Sequence, residues 1–405
     1  MYNSNGTNIS KQYSPKHKGN GVADALCVTN QICNIEWQTQ NNGMPDASNA
    51  RTIPKGTTVK GMPYSSASTE DGYIGIGISI YTFMSAVHNP RSVLYTETSK
   101  GYTGYAYYGT VCTSLICAAW GLPCLITTVA FPKWSEVEQV ALADLEIGDM
   151  ILSLTEGHAK IISGVVRDSN GDITSIRTSE SKYNDCITNN YQTYSAFTTA
   201  HSTYSGYRYK HIDSVDSYEP VPFIRFFDEP YLDAVFPDIM TGFGDKVTRK
   251  KGTDVRINVL NTEGYSSIQI YKNNELIETK YTLVDFTISS PGIGAYEVRL
   301  VGEKKISSTY FDIVDCYIDI DGTDLTFSTT YEALAIGGIP AYTTDASGKA
   351  TSWNNPKRNR ILTEEENVAK EIDITEFVND TDCDGGIRLY VKGIYGSVSF
   401  EKMYS

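Results

Sequence analysis

Ile80, Phe83, Met84 and Val87 recur at i, i+3, i+4 and i+7, the apolar face of a helix that Ser79 caps and Asn89-Pro90 stops. A second apolar run, 115–131, is too short for a membrane span and is broken by Gly121 and Pro123, so it predicts a core helix and a turn. That helix opens at Thr110-Val111-Cys112, with Thr110 as the expected N-cap. After it the period changes from helical to alternating. Strands are predicted over 150–154, 159–166 and 173–178, the first introduced by the turn Leu145-Glu146-Ile147-Gly148-Asp149. The last two flank Asp168-Ser169-Asn170-Gly171-Asp172, a hairpin signal. Upstream, 1–22 reads as a flexible polar tail and 23–59 as short strand-like pieces, Ile35-Glu36-Trp37 among them. The Tyr/Ser/Thr-rich stretch 191–209 has no clean period and reads as strand and loop.

Helices first and an antiparallel meander after is an α+β order. The composition changes at Tyr218-Glu219-Pro220-Val221-Pro222. Beyond it come short alternating strands such as Val255-Arg256-Ile257-Asn258-Val259, Ile268-Gln269-Ile270-Tyr271 and Tyr296-Glu297-Val298-Arg299-Leu300-Val301. Their spacing suggests an immunoglobulin-like (Ig-like) sandwich. Residues 316–405 are again strand-rich (317–320, 388–391, 397–401) around a polar insertion at 345–367. The expected organisation is a tail (1–22), an α+β domain (23–220, core 60–185), an Ig-like sandwich (221–315) and a small β domain (316–405).

At 405 residues the chain is too long for one core. Its net charge of −14 argues against binding nucleic acid or anionic lipid through bulk electrostatics. The 29 tyrosines favour strands and polar recognition surfaces. Among the eight cysteines there is no CxxC pair and no His/Cys ligand spacing, so neither a metal nor a cofactor is expected. Cys316 and Cys383 either bridge within the last domain or are two ordinary thiols. Tandem β modules are common in surface and secreted proteins, so an extracellular or cell-surface monomer is expected, with its leader removed and no membrane span.

The chemistry centres on Cys112. In the first turn of an apolar helix, unpaired N–H groups and the helix dipole favour negative charge on its sulfur. Cys117 lies among apolar residues and Cys124 follows a proline, so both read as structural. Gly157-His158 then opens an apolar strand, where an imidazole at the sheet end can face a helix N-terminus. The third member depends on hairpin register. A three-residue loop, Ser169-Asn170-Gly171, puts Glu180 opposite Lys160 and on the face of His158. A two-residue Asn170-Gly171 loop turns Glu180 away. Glu180 is the candidate that orients His158, with Asn184 as the fallback, and the plain alternative is a Lys160–Glu180 surface pair.

Four segments in order resemble the NlpC family of papain-like cell-wall cysteine peptidases, relatives of the CHAP amidases. They are Gly61-Met62-Pro63-Tyr64, Val111-Cys112-Thr113-Ser114, Leu145-Glu146-Ile147-Gly148-Asp149 and Gly157-His158, and the resemblance covers about residues 60–185. It implies a papain-like fold, Cys112 as nucleophile, His158 as base and Tyr64 as a hydroxyl lining the site, with Thr113 and Ser114 at the substrate. The chain departs from the pattern at Val111, where the family usually has an acid, and in Cys-Thr-Ser for Cys-Ser-Gly. It also carries an additional helix between Tyr64 and Cys112. The family's third residue is more often His, Asn or Gln, although CHAP relatives use Glu.

The resulting expectation is a thiol hydrolase acting on amide bonds of peptidoglycan stem peptides, with wall-derived peptides as partners and surface carbohydrate as a ligand of the β modules. Arg91 and Lys133 are candidates to grip a stem-peptide carboxylate, against a solvated role for each. One rival is a non-catalytic adhesion protein with a degenerate papain-like domain. A thiol acyltransferase is another. Residues 1–60 either pack on the catalytic domain or shield its cleft.

Overall fold

The computed structural model describes residues 21–46, 51–65, 72–97, 106–182, 186–212, 235–341 and 356–404. Its first half begins with α1 (Gly21–Asn34), β1 (Glu36–Gln38), the hairpin of β2 (Met44–Asp46) and β3 (Arg51–Ile53), and β4 (Thr58–Lys60). Helices α2 (Ile80–His88), α3 (Val93–Thr96) and α4 (Cys112–Ala119) follow. Next come β5 (Val137–Val140), β6 (Met150–Ser153), β7 (His158–Arg167), β8 (Ile173–Ser181), β9 (Cys186–Thr188), β10 (Gln192–Thr193), α5 (Tyr194–Ala200) and β11 (Ser205–Tyr209). Strands β5 to β11 form one sheet in the order β10-β8-β7-β6-β11-β5, with β9 also paired to β8.

The alternation of side chains along the strands decides what packs where. Met150, Leu152, Ala159 and Ile161 enter one core with Ile116, Cys117 and Trp120 from α4 and its C-cap. Their neighbours Ile151, Ile162 and Ile176 enter a second core with Phe197 of α5. The sheet therefore lies between α4 and α5.

The β7–β8 hairpin turns through Ser169-Asn170-Gly171, with Gly171 at φ +88°. Arg167 faces Ile173 at the turn, and Ile161 faces Ser179 near the other end. Between them are two bulges, one on each strand, that shift the register and then restore it. Continuing that register past Ile161 leaves Lys160 opposite Glu180.

Three local expectations are corrected. Residues 21–34 are helical rather than strand-like; of the expected tail 1–22, residues 1–20 lie outside the described residues. Its buried Thr29, Asn30 and Gln31 interrupt the apolar stripe that would have marked it as a helix. The stretch 191–209 contains α5, capped by the Thr193 hydroxyl, which accepts from the Ala196 N–H at 3.3 Å. The N-cap of α4 is Val111, one residue later than Thr110.

The second unit is a two-sheet sandwich of β12 (Ile239–Thr241), β13 (Val247–Lys250), β14 (Val255–Val259), β15 (Ser267–Lys272), β16 (Glu275–Lys280), β17 (Phe286–Ile288), β18 (Gly294–Val301) and β19 (Ile306–Val314). One sheet runs β12-β14-β17 and the other β13-β19-β18-β15-β16, with β13 parallel to β19. Val255 and Ile257 meet Ile268, Val298, Leu300 and Phe311 between them. The Tyr218–Pro222 boundary signal lies outside the described residues.

The third unit holds β20 (Tyr317–Asp321), β21 (Asp324–Ser328), β22 (Glu332–Ile339), β23 (Arg358–Ile361), α6 (Glu364–Ala369), β24 (Glu371–Asp373), α7 (Thr375–Val378), β25 (Gly386–Lys392) and β26 (Ser397–Met403). Its sheets β20-β21-β24 and β23-β22-β25-β26 share a core of Leu325, Ile336, Phe377 and Leu389. The later part of the polar insertion is thus structured, carrying β23 and the start of α6, where Thr363 and Glu366 cap each other. Cys316 and Cys383 are both free thiols, so the bridging alternative is not formed.

The units are not strung apart. One apolar core runs from Ile32 and Phe83 of α1 and α2 into Ile257 and Phe311 of the sandwich. Asn89 donates to Asn258 Oδ1 (2.9 Å), Tyr81 to Asp245 (2.8 Å), and the Asp245 N–H to Ser85 Oγ (2.7 Å). The last unit is tied by Ser397 Oγ to Ile76 O (3.0 Å) and by Thr127 Oγ1 to Pro356 O (3.0 Å). No helix among the described residues is long and apolar enough to cross a membrane.

Candidate active site

Helix α4 starts at Cys112 itself. Its first ladder bond runs from the Leu115 N–H to Val111 O (3.1 Å), so the amides of Cys112, Thr113 and Ser114 precede the ladder and point along the helix start. Ser114 Oγ accepts from the Val111 N–H at 2.7 Å and pins that start. The segment before it is wedged against 63–65: Thr110 N–H donates to Pro63 O (3.0 Å) and Ser65 N–H to Thr110 O (3.1 Å). A Cβ at Gly109 would stand 2.2 Å from Pro63 O, so only glycine allows this approach. Tyr64 is bridged to Thr110, two residues before Cys112. Cys112 is half-buried, while the other seven cysteines are buried.

His158 stands at the first position of β7, 21% exposed. Its Nε2 is 2.7 Å from Glu180 Oε2. With Nε2 committed to the carboxylate, Nδ1 is the nitrogen left for Cys112, which interacts with the ring. Burial pulls the imidazole down, but Cys112 and Glu180 outweigh it and push its pKa up to about 9.

Glu180 is fully buried on β8 and answered on every side. Besides His158, its Oε1 accepts from Asn189 Nδ2 (2.7 Å) and lies 3.0 Å from Lys182 Nζ, and Oε2 lies 3.4 Å from Lys160 Nζ. Burial alone would raise its pKa; the bonds from His158 and Asn189 and the lysine charges hold the carboxyl far below the usual carboxylate range. It is an anion fixed in place, not a plain surface partner of Lys160.

The fold thus brings together Cys112, His158 and Glu180, and pairs the backbone of Tyr64 with that of Thr110. The side chains of Thr113 (3% exposed) and Ser114 (0%) are buried, so the expectation that they meet substrate is corrected: they offer backbone N–H groups only. Arg91 and Lys133 stay on the exposed surface, 46% and 39% accessible, and their acidic partners come from this chain, so the structure gives no grip on a substrate carboxylate. Arg91 donates to Val259 O (2.8 Å) and pairs with Asp285 (3.2 Å); Lys133 pairs with Asp382 (2.5 Å). Asn184 lies outside the described residues.

Sequence reasoning misses Asn189. It follows β9, and its own N–H donates to Thr178 O (2.9 Å), which swings its amide onto Glu180. It also misses Glu156 and Tyr204 beside His158, whose side chains are joined at 2.9 Å. The Gly148-Asp149 turn proves structural: Arg208 grips Asp149 at 2.8 and 2.9 Å, and Trp120 Nε1 donates to Gly148 O (2.8 Å).

No family model matches this sequence, and no curated protein matches it. Solved structures with local similarity include the fibronectin(III)-like modules of Clostridium thermocellum CbhA, at 9% identity over 38% of this chain and 80% of that one, with a TM-score of 0.17. Three N-terminal domains of the bacteriophage RB49 Highly Immunogenic Outer Capsid protein match at 14% identity over 38% and 62%, with a TM-score of 0.17. Superpositions this poor carry no inference, so the functional reading rests on the site itself.

Proposed function

We propose that this protein is a thiol hydrolase of the papain-like, NlpC-type class, cleaving amide bonds with Cys112 as nucleophile, His158 as acid–base and Glu180 as the group that orients and charges His158. The observation that carries the reading is the buried Glu180 carboxylate 2.7 Å from His158 Nε2, with the other side of the ring turned to a helix-start cysteine. In this mechanism the Cys112 sulfur attacks the amide carbonyl, and the amides at the start of α4 receive the developing oxyanion. His158 then passes its proton to the leaving amine, and water, activated by the same imidazole, hydrolyses the thioester. The substrate class, peptidoglycan stem peptides met at the cell surface, rests on the resemblance of the four sequence segments.

The test is release of new amino termini from muropeptides. Wild type is expected to cleave, and Cys112→Ala and His158→Ala are expected to be inactive while still folded. Equal behaviour of all three refutes hydrolysis and favours the adhesion reading. Product formation that requires an added amine favours the acyltransferase.

A further inference from the structure

Two further thiols, which the proposed chemistry does not use, meet beside β8. Cys33 lies in the last turn of α1 and Cys186 at the first position of β9, each 1% exposed and both in the same apolar core. Gly61 holds the two chain segments together. A Cβ built on it would stand 2.2 Å from Cys186 O and 3.3 Å from Cys33 O, so the two backbones flank one glycine. The Cys33 thiol is hydrogen-bonded to Cys186, whose sulfur is also 2.7 Å from Thr110 Oγ1. Cys186 pairs in register with Ser181, the residue after Glu180.

We infer that Cys33 and Cys186 are a disulfide-forming pair, and that oxidation ties the end of α1 to the start of β9 next to the strand position carrying Glu180. Burial and mutual contact hold the Cys33 thiol in its protonated form, so the pair is inert to ordinary alkylation and closes when the chain folds or opens in the presence of a small disulfide oxidant. One cysteine sulfur attacks glutathione disulfide and releases one glutathione thiol. The second cysteine attacks the mixed disulfide and releases another. The two protons and two electrons lost by the protein leave on the two glutathiones. Neither residue belongs to the site described above, so the inference stands or falls apart from the hydrolase reading.

The experiment refolds the full chain carrying Cys112→Ala, which removes the half-buried competing thiol, in a mixture of glutathione and its disulfide. The intact mass is expected to fall by two hydrogens, and peptide mapping to join Cys33 to Cys186. The thermal midpoint should rise relative to the reduced chain, and Cys33→Ser should abolish both changes. The proposal is overturned if Cys33 and Cys186 are both alkylated after unfolding the oxidised protein, or if either maps to a different cysteine.

Discussion

Glu180 Oε2 stands 2.7 Å from His158 Nε2, while its Oε1 is held by Asn189 at 2.7 Å and Lys182 at 3.0 Å. A carboxylate so completely answered keeps its charge and its direction, and both are transmitted to the imidazole. In the proposed mechanism this makes Glu180 a positioning residue for His158 rather than one that touches substrate.

Glu180→Gln should therefore act through the ring. The amide keeps the shape and loses the charge, and the rate of hydrolysis is expected to fall by about 10²- to 10⁴-fold, as when a triad orienter is replaced. The His158 titration, followed by NMR, should move down from about 9. An unchanged rate with an unchanged titration would sink this role.

The raised pKa of His158 has a defined sign in stability. Its folded value, about 9, lies above the unfolded value near 6.5, so the contribution is fully present below pH 6.5 and disappears as pH rises through 9. It amounts to roughly 3 kcal/mol at most. Urea midpoints measured at pH 6 and pH 10 should differ more for wild type than for His158→Ala, and equal pH dependence would contradict it.

Asp312 offers an independent titration. Burial pushes its carboxyl up to about 6, against bonds from Thr248 Oγ1 (2.6 Å) and the Ile394 N–H (3.0 Å). A raised acid favours the folded state below its unfolded pKa near 3.9, and that advantage is lost as pH rises through 6. Wild type should lose stability between pH 4 and pH 7, and Asp312→Asn should lose less over the same interval. A steeper decline in the variant would refute the assignment.

Ser114→Ala removes the hydroxyl that accepts the Val111 N–H, at a cost of about 1 kcal/mol of stability. Because that bond fixes the residue before Cys112, iodoacetamide labelling of Cys112 should slow as well. If stability falls and labelling does not, the cap supports the fold alone.

What could be read from the sequence was what is local. The three-residue loop at Ser169-Asn170-Gly171 sets the register at the turn, and the apolar period of 80–87 marks α2 before any contact is known. Even there, Lys160 faces Glu180 only because two bulges invisible in the sequence cancel. Helix α1 escapes because Thr29, Asn30 and Gln31 are buried by neighbours distant in the chain. Asn189 escapes because its role is created by the return of β9 along β8, a pairing that no residue near it announces.

The seam between α2 and the sandwich has a practical consequence. Cutting the chain near residue 220 looks natural by composition, yet it would strip Asn89, Tyr81 and Ser85 of their partners and split the apolar core that α2 shares with the sandwich. The fragment would inherit a greasy wound along α2, so the half that carries the candidate site is best regarded as a tenant of the whole molecule rather than a detachable part.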